Sequence, residues 1–292
     1  MKDIFFLLWY LCCRYVFVIL PDKSFFQLTS FVTHLRLGFR FSPLQINNPQ
    51  SFNDKLNYLK ALPLDERSTM LADKVLVRPF VANAIGEKYL VPCLGVYKSV
   101  DEIDFDALPN RFILKTNHGS GWNMICKDKN TFDRKKAARL FKRWLWFNAY
   151  YLSREKQYKN IKPLIICEAL LEYEIYDYKF FCFNGSPNFL QVDIDRFSDH
   201  KRAFYDMEWN KLPFSIRYDI SGKILPKPEQ FDEMKSIAAK LSTGLLFSRI
   251  DLYIHHNQVF FGEITLIPGG GNEPFVPQEF DNIIGGQINI SY

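Results

Sequence analysis

An α+β fold is predicted for this chain from three observations. Residues 251–254 and 259–264 suit strands, and the polar stretch His255-His256-Asn257-Gln258 between them suits a turn. Together they read as a hairpin. Upstream, residues 176–183 and 188–194 flank Asn184-Gly185, a strong hairpin signal. Between residues 133 and 151, Leu140, Phe141, Trp144, Leu145 and Asn148 trace one helical face, while Arg134, Lys135, Lys136, Lys142 and Arg143 trace the other. The Trp and Phe stripe reads as core rather than as a ligand pocket.

At 292 residues the chain can bury a large core and divide into two or three subdomains. A hydrophobic content of 48%, with 16% aromatic residues, argues against disorder. The net charge of +5 suits an anionic ligand or a membrane surface and is too mild to imply nucleic acid. Cys12, Cys13, Cys93, Cys126, Cys167 and Cys182 form no CxxC pair, and most lie in apolar runs as reduced buried thiols do, which places the protein in the cytoplasm.

Residues 4–20 are apolar and aromatic except for Arg14. Three readings are open: a helix packed on its own domain, an interfacial helix on the inner face of a membrane with Lys2 and Arg14 snorkelling to headgroups, or a short span. Residues 25–41 continue with helical character. Ser51 is a candidate N-cap for a helix over 52–61, and residues 65–84 read as another helix, broken or kinked at Pro79 and ended by Gly86. A strand is expected over 89–96. The acidic stretch 101–108, closed by Pro109, sets a domain boundary near residue 100. After residue 163 come a short apolar strand ending at Glu168, the Asn184-Gly185 hairpin, a Pro226/Pro228 loop and a helix over 231–241.

The late hairpin carries the sharpest chemistry. Matching alternation would bring Asp251 and Glu263 to one sheet face, with Thr265 two residues further on the same side. Paired carboxylates repel unless a cation lies between them, and hard oxygens suit magnesium; the bland alternative is a surface hairpin with solvated acids. Pro268 and the three following glycines end the strand and leave backbone free to approach a ligand. Earlier, Lys115 ends an apolar strand immediately before Thr116-Asn117-His118-Gly119-Ser120-Gly121. Glycines flanking Ser120 let successive N–H groups converge on an anion, and the lysine adds a point charge for phosphate. The lysine precedes the glycines, so this is not a Walker A loop, and the glycine spacing excludes a dinucleotide fingerprint. An ordinary hairpin turn is the alternative.

The order of these features resembles the ATP-grasp superfamily, and from about Pro21 onward the chain resembles its TupA-like family, associated with bacterial surface polysaccharide synthesis. The phrases carrying the resemblance are Ser51-Phe52-Asn53-Asp54-Lys55-Leu56, Ala72-Asp73-Lys74, Leu114 to Asn123, Asp177-Tyr178-Lys179 through Asn184-Gly185, Asp195-Arg196-Phe197 and Gly262-Glu263-Ile264-Thr265. The resemblance implies an ATP-grasp fold: a helical apolar segment at 1–20, an N-terminal region at 21–100, a lid subdomain at 101–167 and a C-terminal subdomain at 168–292. It implies that Lys74 and Lys115 hold the nucleotide phosphates, that His118, Gly119, Ser120 and Gly121 close over them, and that Glu168 sits at the adenine. Asp177 would bind the ribose, and Asp251, Glu263 and Thr265 would hold Mg²⁺. Thr265 stands where many superfamily members have Asn, and a hydroxyl is the weaker ligand. Arg249 would stabilise charge on the transferring group, and Gly269 and Gly270 would offer backbone donors to an oxyanion. Lys179 is either a ligand contact or a snorkelling side chain. Arg196 and Arg202, with Lys201 and Tyr205, either receive an acidic substrate or form a solvated basic loop. Arg154-Glu155 reads as an ion pair near the hinge.

The activity implied is that of an ATP-dependent carboxylate–amine ligase working through an acyl phosphate and joining an amino acid or amine to a uronic acid of a capsule, O-antigen or teichuronopeptide-type glycan. A glycosyltransferase using Asp193-Ile194-Asp195 is a rival reading, as is a kinase with a sugar hydroxyl as acceptor. A binding protein without turnover is a third, opposed by the complete set of Lys74, Lys115, Asp251 and Glu263.

Overall fold

The computed structural model describes residues 2–171, 176–194 and 200–290. Helix α1 (Lys2–Leu11) passes through a wide turn at Cys12–Val16 and a tight one at Phe17–Ile19 into α2 (Asp22–Leu37). Tyr10 is fully buried against Trp146, Phe147 and Tyr151, so this segment lies on the body of the protein. Among the described residues, no helix is long and apolar enough to cross a membrane.

Ser51 caps α3 (Phe52–Ala61) as expected: its hydroxyl accepts the Asp54 N–H, and the Asp54 carboxylate accepts the Ser51 N–H. The expected break at Pro79 falls instead at Asp73, between α4 (Glu66–Ala72) and α5 (Val77–Ile85). Pro79 is the third residue of α5, where its missing N–H would have had no intrahelical partner. Asp73 enforces the break by accepting the N–H groups of Val75 and Leu76. Gly86 ends α5 as expected. A tight turn at Glu87–Tyr89 precedes β1 (Cys93–Tyr97), so the strand expected from residue 89 begins later.

A small antiparallel sheet has the order β1-β4-β2-β3, built with β2 (Phe112–Thr116), β3 (Asn123–Cys126) and β4 (Ile165–Ala169). Two helices, α6 (Arg134–Trp146) and α7 (Tyr150–Ser153), replace the single one expected through residue 151. Ala137 and Phe141 of α6 pack on Phe112, Leu114, Ile165 and Cys167. Because alternate residues of a strand face opposite ways, Lys115 and Glu168 are left on the other face.

The large sheet is antiparallel, in the order β10-β9-β5-β6-β7. Its first strands are β5 (Asp177–Phe183), β6 (Ser186–Ile194) and β7 (Lys201–Asp206). The stretch around Arg202 is therefore a strand rather than a solvated loop. Strand β8 (Ser215–Ile216) and helix α8 (Phe231–Ser242) lead to β9 (Phe247–His255) and β10 (Gln258–Thr265); β11 (Phe275–Val276), paired with β8, and α9 (Glu279–Gly285) complete the chain. Both predicted hairpins form, each with positive φ at its two turn residues: Asn184-Gly185 and His256-Asn257. One sheet face, with Phe180, Leu190, Ile250 and Leu252, is covered by Phe231, Met234 and Leu241 of α8. The opposite face is aromatic at one end, where Phe181, Phe189 and Phe204 meet Phe52 of α3, and polar at the other.

The polar end depends on a one-residue irregularity. From the turn, residues pair as Gln258 with His255 through Phe261 with Leu252, but Glu263 then pairs with Asp251. Gly262 is the extra residue of a bulge. In an unbroken ladder Asp251 would face Gly262, and Glu263 would join Ile250 on the buried apolar side. Only glycine fits the bulge: a Cβ there would lie 2.8 Å from the Tyr253 ring and 3.0 Å from the Asp251 carbonyl oxygen. Gly262→Val should lower the unfolding free energy by about 1–3 kcal/mol, as measured by urea denaturation. Unchanged stability would show that the bulge tolerates a side chain.

Candidate active site

Across the large sheet, Cα pairing aligns Glu263, Asp251, Lys179 and Gln191 in one row, with Asp177, Asp193 and Arg202 in the next. Asp251 is 1% exposed. Arg249 donates to both of its oxygens at 2.7 Å, and Lys179 Nζ donates to Oδ2 at 2.7 Å. Lys179 also pairs with Asp177 and lies 3.9 Å from Asp193. Burial raises the Asp177 carboxyl to about 6 against the pull of Lys179. Burial alone would lower the Lys179 ammonium, but Asp177 and Asp251 raise it instead. Lys179 is thus the hub of a buried acidic cluster and not a snorkelling side chain.

Glu263 is half-buried and faces one cation from its own sheet and one from the connection between α4 and α5. Arg249 Nη2 lies 3.5 Å from Oε1, and Lys74 Nζ lies 3.6 Å from Oε2. Burial would raise its carboxyl, but Lys74, Arg249, Lys179 and Lys115 outweigh that and bring it down to about 2. Lys74 also donates to the Gly119 carbonyl at 2.8 Å, which ties the glycine loop to the acidic end of the large sheet. In the small sheet Glu168 accepts from Lys115 and from Arg78, each at 2.8 Å.

The loop is anchored from behind. Asn117 is fully buried; its amide donates to Asp73 and to the Lys162 carbonyl at 3.0 Å each, and its own carbonyl accepts the Lys74 N–H. The His118 ring turns inward, with Nε2 3.0 Å from the Phe147 carbonyl at the end of α6 and the ring beside Trp122. Burial lowers its imidazole.

Asp251, Glu263 and Thr265 form an all-oxygen set that fits a hard divalent ion, with one qualification. Both Asp251 oxygens are already taken by Arg249 and Lys179, Thr265 Oγ1 accepts from Arg249 at 3.1 Å, and Glu263 is held only by longer contacts, 3.5 Å to Arg249 and 3.6 Å to Lys74. Among the described residues no three carboxylate, imidazole or thiol groups converge as a ready-made metal cage. Magnesium is commonly held by one or two carboxylates together with substrate phosphates, and Glu263 with Thr265 meets that requirement.

The Pro268–Gly271 turn has left-handed backbone at Gly269, Gly270 and Gly271 (φ 57°, 66° and 75°). Helix α3 holds it by a series of donors along one face. Asn53 Nδ2 donates to the Glu273 carbonyl at 2.9 Å, Asn57 Nδ2 to Gly271 at 2.7 Å and Lys60 Nζ to Gly270 at 2.6 Å. The Gly270 N–H is used within the turn, donating to Ile267.

Lys74, Lys115, Gly119, Glu168, Asp177, Lys179, Arg249, Asp251, Glu263 and Thr265 therefore form one connected polar region. Arg202 stands at its far edge, donating to Asp193 at 3.1 Å and to the Ile216 carbonyl at 2.7 Å. Arg196, and the Asp195 half of Asp193-Ile194-Asp195, lie outside the described residues. Arg154 and Glu155 do not pair: Arg154 binds Asp22 at 2.8 Å, and Glu155 accepts from Ser153 and Gln157. Sequence reasoning gave no role to Arg78, named Asn117 only as part of the glycine loop, and gave Asp193 a place only in the glycosyltransferase reading, not as a partner of Lys179 and Arg202. Two signals were present: Arg78 lies one helical turn beyond Lys74, and Gln191 and Asp193 alternate with apolar residues in a strand where both faces are buried.

A family model described as TupA-like ATPgrasp matches residues 54–289. Curated protein sequences return no match. Solved structures that the chain is similar to include a D-alanine–D-alanine ligase from Bacillus anthracis complexed with ATP (13% identity, TM-score 0.41, 68% of this chain and 55% of that one). An N5-carboxyaminoimidazole synthetase from Staphylococcus aureus complexed with ADP has 14% identity and TM-score 0.42, over 76% and 52%. A D-alanine–D-alanine ligase from Helicobacter pylori has 16% identity and TM-score 0.42, over 82% and 70%. The chain spans about half the length of the first two.

Burial lowers the Lys60 ammonium to about 7 against the pull of Glu155 and Asp22. Between that value and the unfolded 10.5 the folded state binds fewer protons, so the contribution of Lys60 to stability grows as pH rises through this window. Urea unfolding at pH 7, 8 and 9 should climb more steeply for the wild type than for Lys60→Met, by at most about 1.4 kcal/mol per pH unit. Parallel dependences would place the Lys60 titration elsewhere.

Proposed function

Because the chain belongs to the TupA-like ATP-grasp family, matched over residues 54–289, we propose that it is an ATP-dependent carboxylate–amine ligase. Its fold is the α+β ATP-grasp fold, and Lys74, in the connection between α4 and α5, links the glycine loop of the small sheet to Glu263 of the large one. One observation carries the functional reading. A lysine bonded to the glycine loop stands 3.6 Å from a carboxylate of the large sheet, with Arg249, Lys179 and Lys115 around it. A triphosphate needs that density of positive charge, and a divalent ion needs that carboxylate.

In this reading Lys74 and Lys115 hold the phosphates, and the N–H groups of Gly119, Ser120 and Gly121 close over them. Glu168 and its neighbouring backbone receive the adenine. Asp177 receives the ribose and holds Lys179 beside it. Glu263 and Thr265 would hold Mg²⁺, which would supply neutralisation of the phosphate charge. Arg249, locked on Asp251 by two hydrogen bonds, fixes the direction of positive charge at the transferring group.

The acceptor carboxylate attacks the γ-phosphorus, the bond to the β-bridging oxygen breaks, and ADP leaves. An amine then attacks the acyl phosphate, giving amide, inorganic phosphate and a proton. Water would destroy that intermediate, so a closed glycine loop is part of the chemistry. The acceptor we favour is a uronic acid of a capsule, O-antigen or teichuronopeptide-type surface glycan and the amine an amino acid or a relative, used on the cytoplasmic side at the inner face of the membrane. The net charge of +5 suits such an anionic acceptor.

ADP release from ATP and Mg²⁺ should require both a uronic acid and an amine, and Lys74→Met and Lys115→Met should each slow it about 100-fold or more. Sugar phosphate without amide would make the protein a kinase. Sugar transfer from a nucleotide-sugar donor without ATP use would remove the ligase reading.

A further inference from the structure

The N-terminal helical segment presents an apolar stripe to solvent. Ile4, Phe5, Leu8, Tyr15, Val16 and Ile19 are between 53% and 83% exposed. Ile4, Phe5 and Leu8 have the spacing of one face of α1, and Tyr15, Val16 and Ile19, with Val18 at 53%, are exposed on the turns that follow it. The opposite side holds Tyr10 and Cys13, both buried. On α2, Phe31 and Leu35, one turn apart, are exposed as well. A helix resting on a water-soluble body ordinarily turns charge outward; this one turns outward side chains that water disfavours.

Charge distribution indicates what covers the stripe. Between residues 4 and 41 the one carboxylate is Asp22, and it is bound by Arg154 at 2.8 Å. Arg36 and Arg40, just beyond Leu35, are exposed. Arg14 lies over the rings of Trp146 and Tyr151 and donates to the Tyr10 hydroxyl. Trp146 is itself 47% exposed beside this segment. Aromatic rings with a polar edge and arginines at the border of an apolar stripe are the residues that settle at the headgroup level of a bilayer. Self-association would need carboxylates to meet the arginines, and this stretch offers none unpaired.

We propose that this face docks on an anionic phospholipid surface, with α1 and the turns after it lying flat at the headgroup boundary and the cleft left in water. Such attachment draws on apolar burial together with attraction between arginines and acidic lipid. The inference does not rest on the ligase reading, because vesicle binding and ATP turnover are measured separately.

Flotation of the full chain with vesicles of phosphatidylcholine alone, or enriched in phosphatidylglycerol, tests it. The wild type should float with the acidic vesicles and partition at least about tenfold less onto the neutral ones. Phe5→Glu/Ile19→Glu, altered at two outward positions, should lose flotation while keeping the wild-type thermal unfolding curve. Arg36→Glu/Arg40→Glu, which leaves the apolar stripe intact, should lose the preference for acidic lipid. Absence of wild-type flotation with either vesicle would overturn the proposal, as would equal flotation of both variants. So would a dimer that dissociates on Phe5→Glu/Ile19→Glu in a protein that ignores lipid.

Discussion

Burying the Asp251 carboxylate constrains everything around it. An ion that water cannot reach must be met by charge from the protein itself, and here Arg249 and Lys179 meet it from β9 and from the neighbouring β5. Lys179 then needs Asp177 and Asp193, and Asp193 needs Arg202. One buried acid thus propagates a row of alternating charge across four strands. Removing a single partner from such a row leaves an uncompensated charge, at a cost of about 3–5 kcal/mol. The row therefore behaves as a rigid plate and not as a collection of adaptable side chains.

Rigidity there makes the remaining attachments meaningful. Glu263 is set beside the plate by the Gly262 bulge, and the Pro268–Gly271 turn is set beyond it by Asn53, Asn57 and Lys60. Asn117 and Asp73 connect the Lys74 backbone to the glycine loop. Loop, lysine and carboxylate are consequently positioned by separate elements that share few residues, and a change in one alters the cleft without dissolving the others.

The elements of the chain were legible wherever local pattern decides structure. Asn184-Gly185, the Ser51 cap and the amphipathic α6 are set by residues within a few positions of each other. Pro79 misled because a proline in the first helical turn costs nothing, and the actual break came from the Asp73 side chain capturing two backbone N–H groups. Asp251 and Glu263 were expected on one face by simple alternation. That alternation, carried unbroken from the two-residue turn, would have separated them, and they share a face only through the bulge. The hub role of Lys179 could not be read from its neighbours, since Asp193 and Asp251 reach it from other strands. Long-range charge pairing leaves no local signature.

The same charges bear on how the cleft would accept a nucleotide. Lys115 is paired with Glu168, and Lys74 is shared between Gly119 and Glu263. On the ligase reading, phosphate oxygens replace carboxylates as partners of the two lysines. That exchange leaves Glu263, which the surrounding cations keep ionised, with an oxygen to spare. A divalent ion accompanying the phosphates is what an ionised, newly uncovered carboxylate would take. Nucleotide and metal would then enter as one unit, because each removes the charge that would exclude the other. Asp251, already neutralised by Arg249 and Lys179, would take no part in that exchange beyond keeping those two cations where the transferring group needs them.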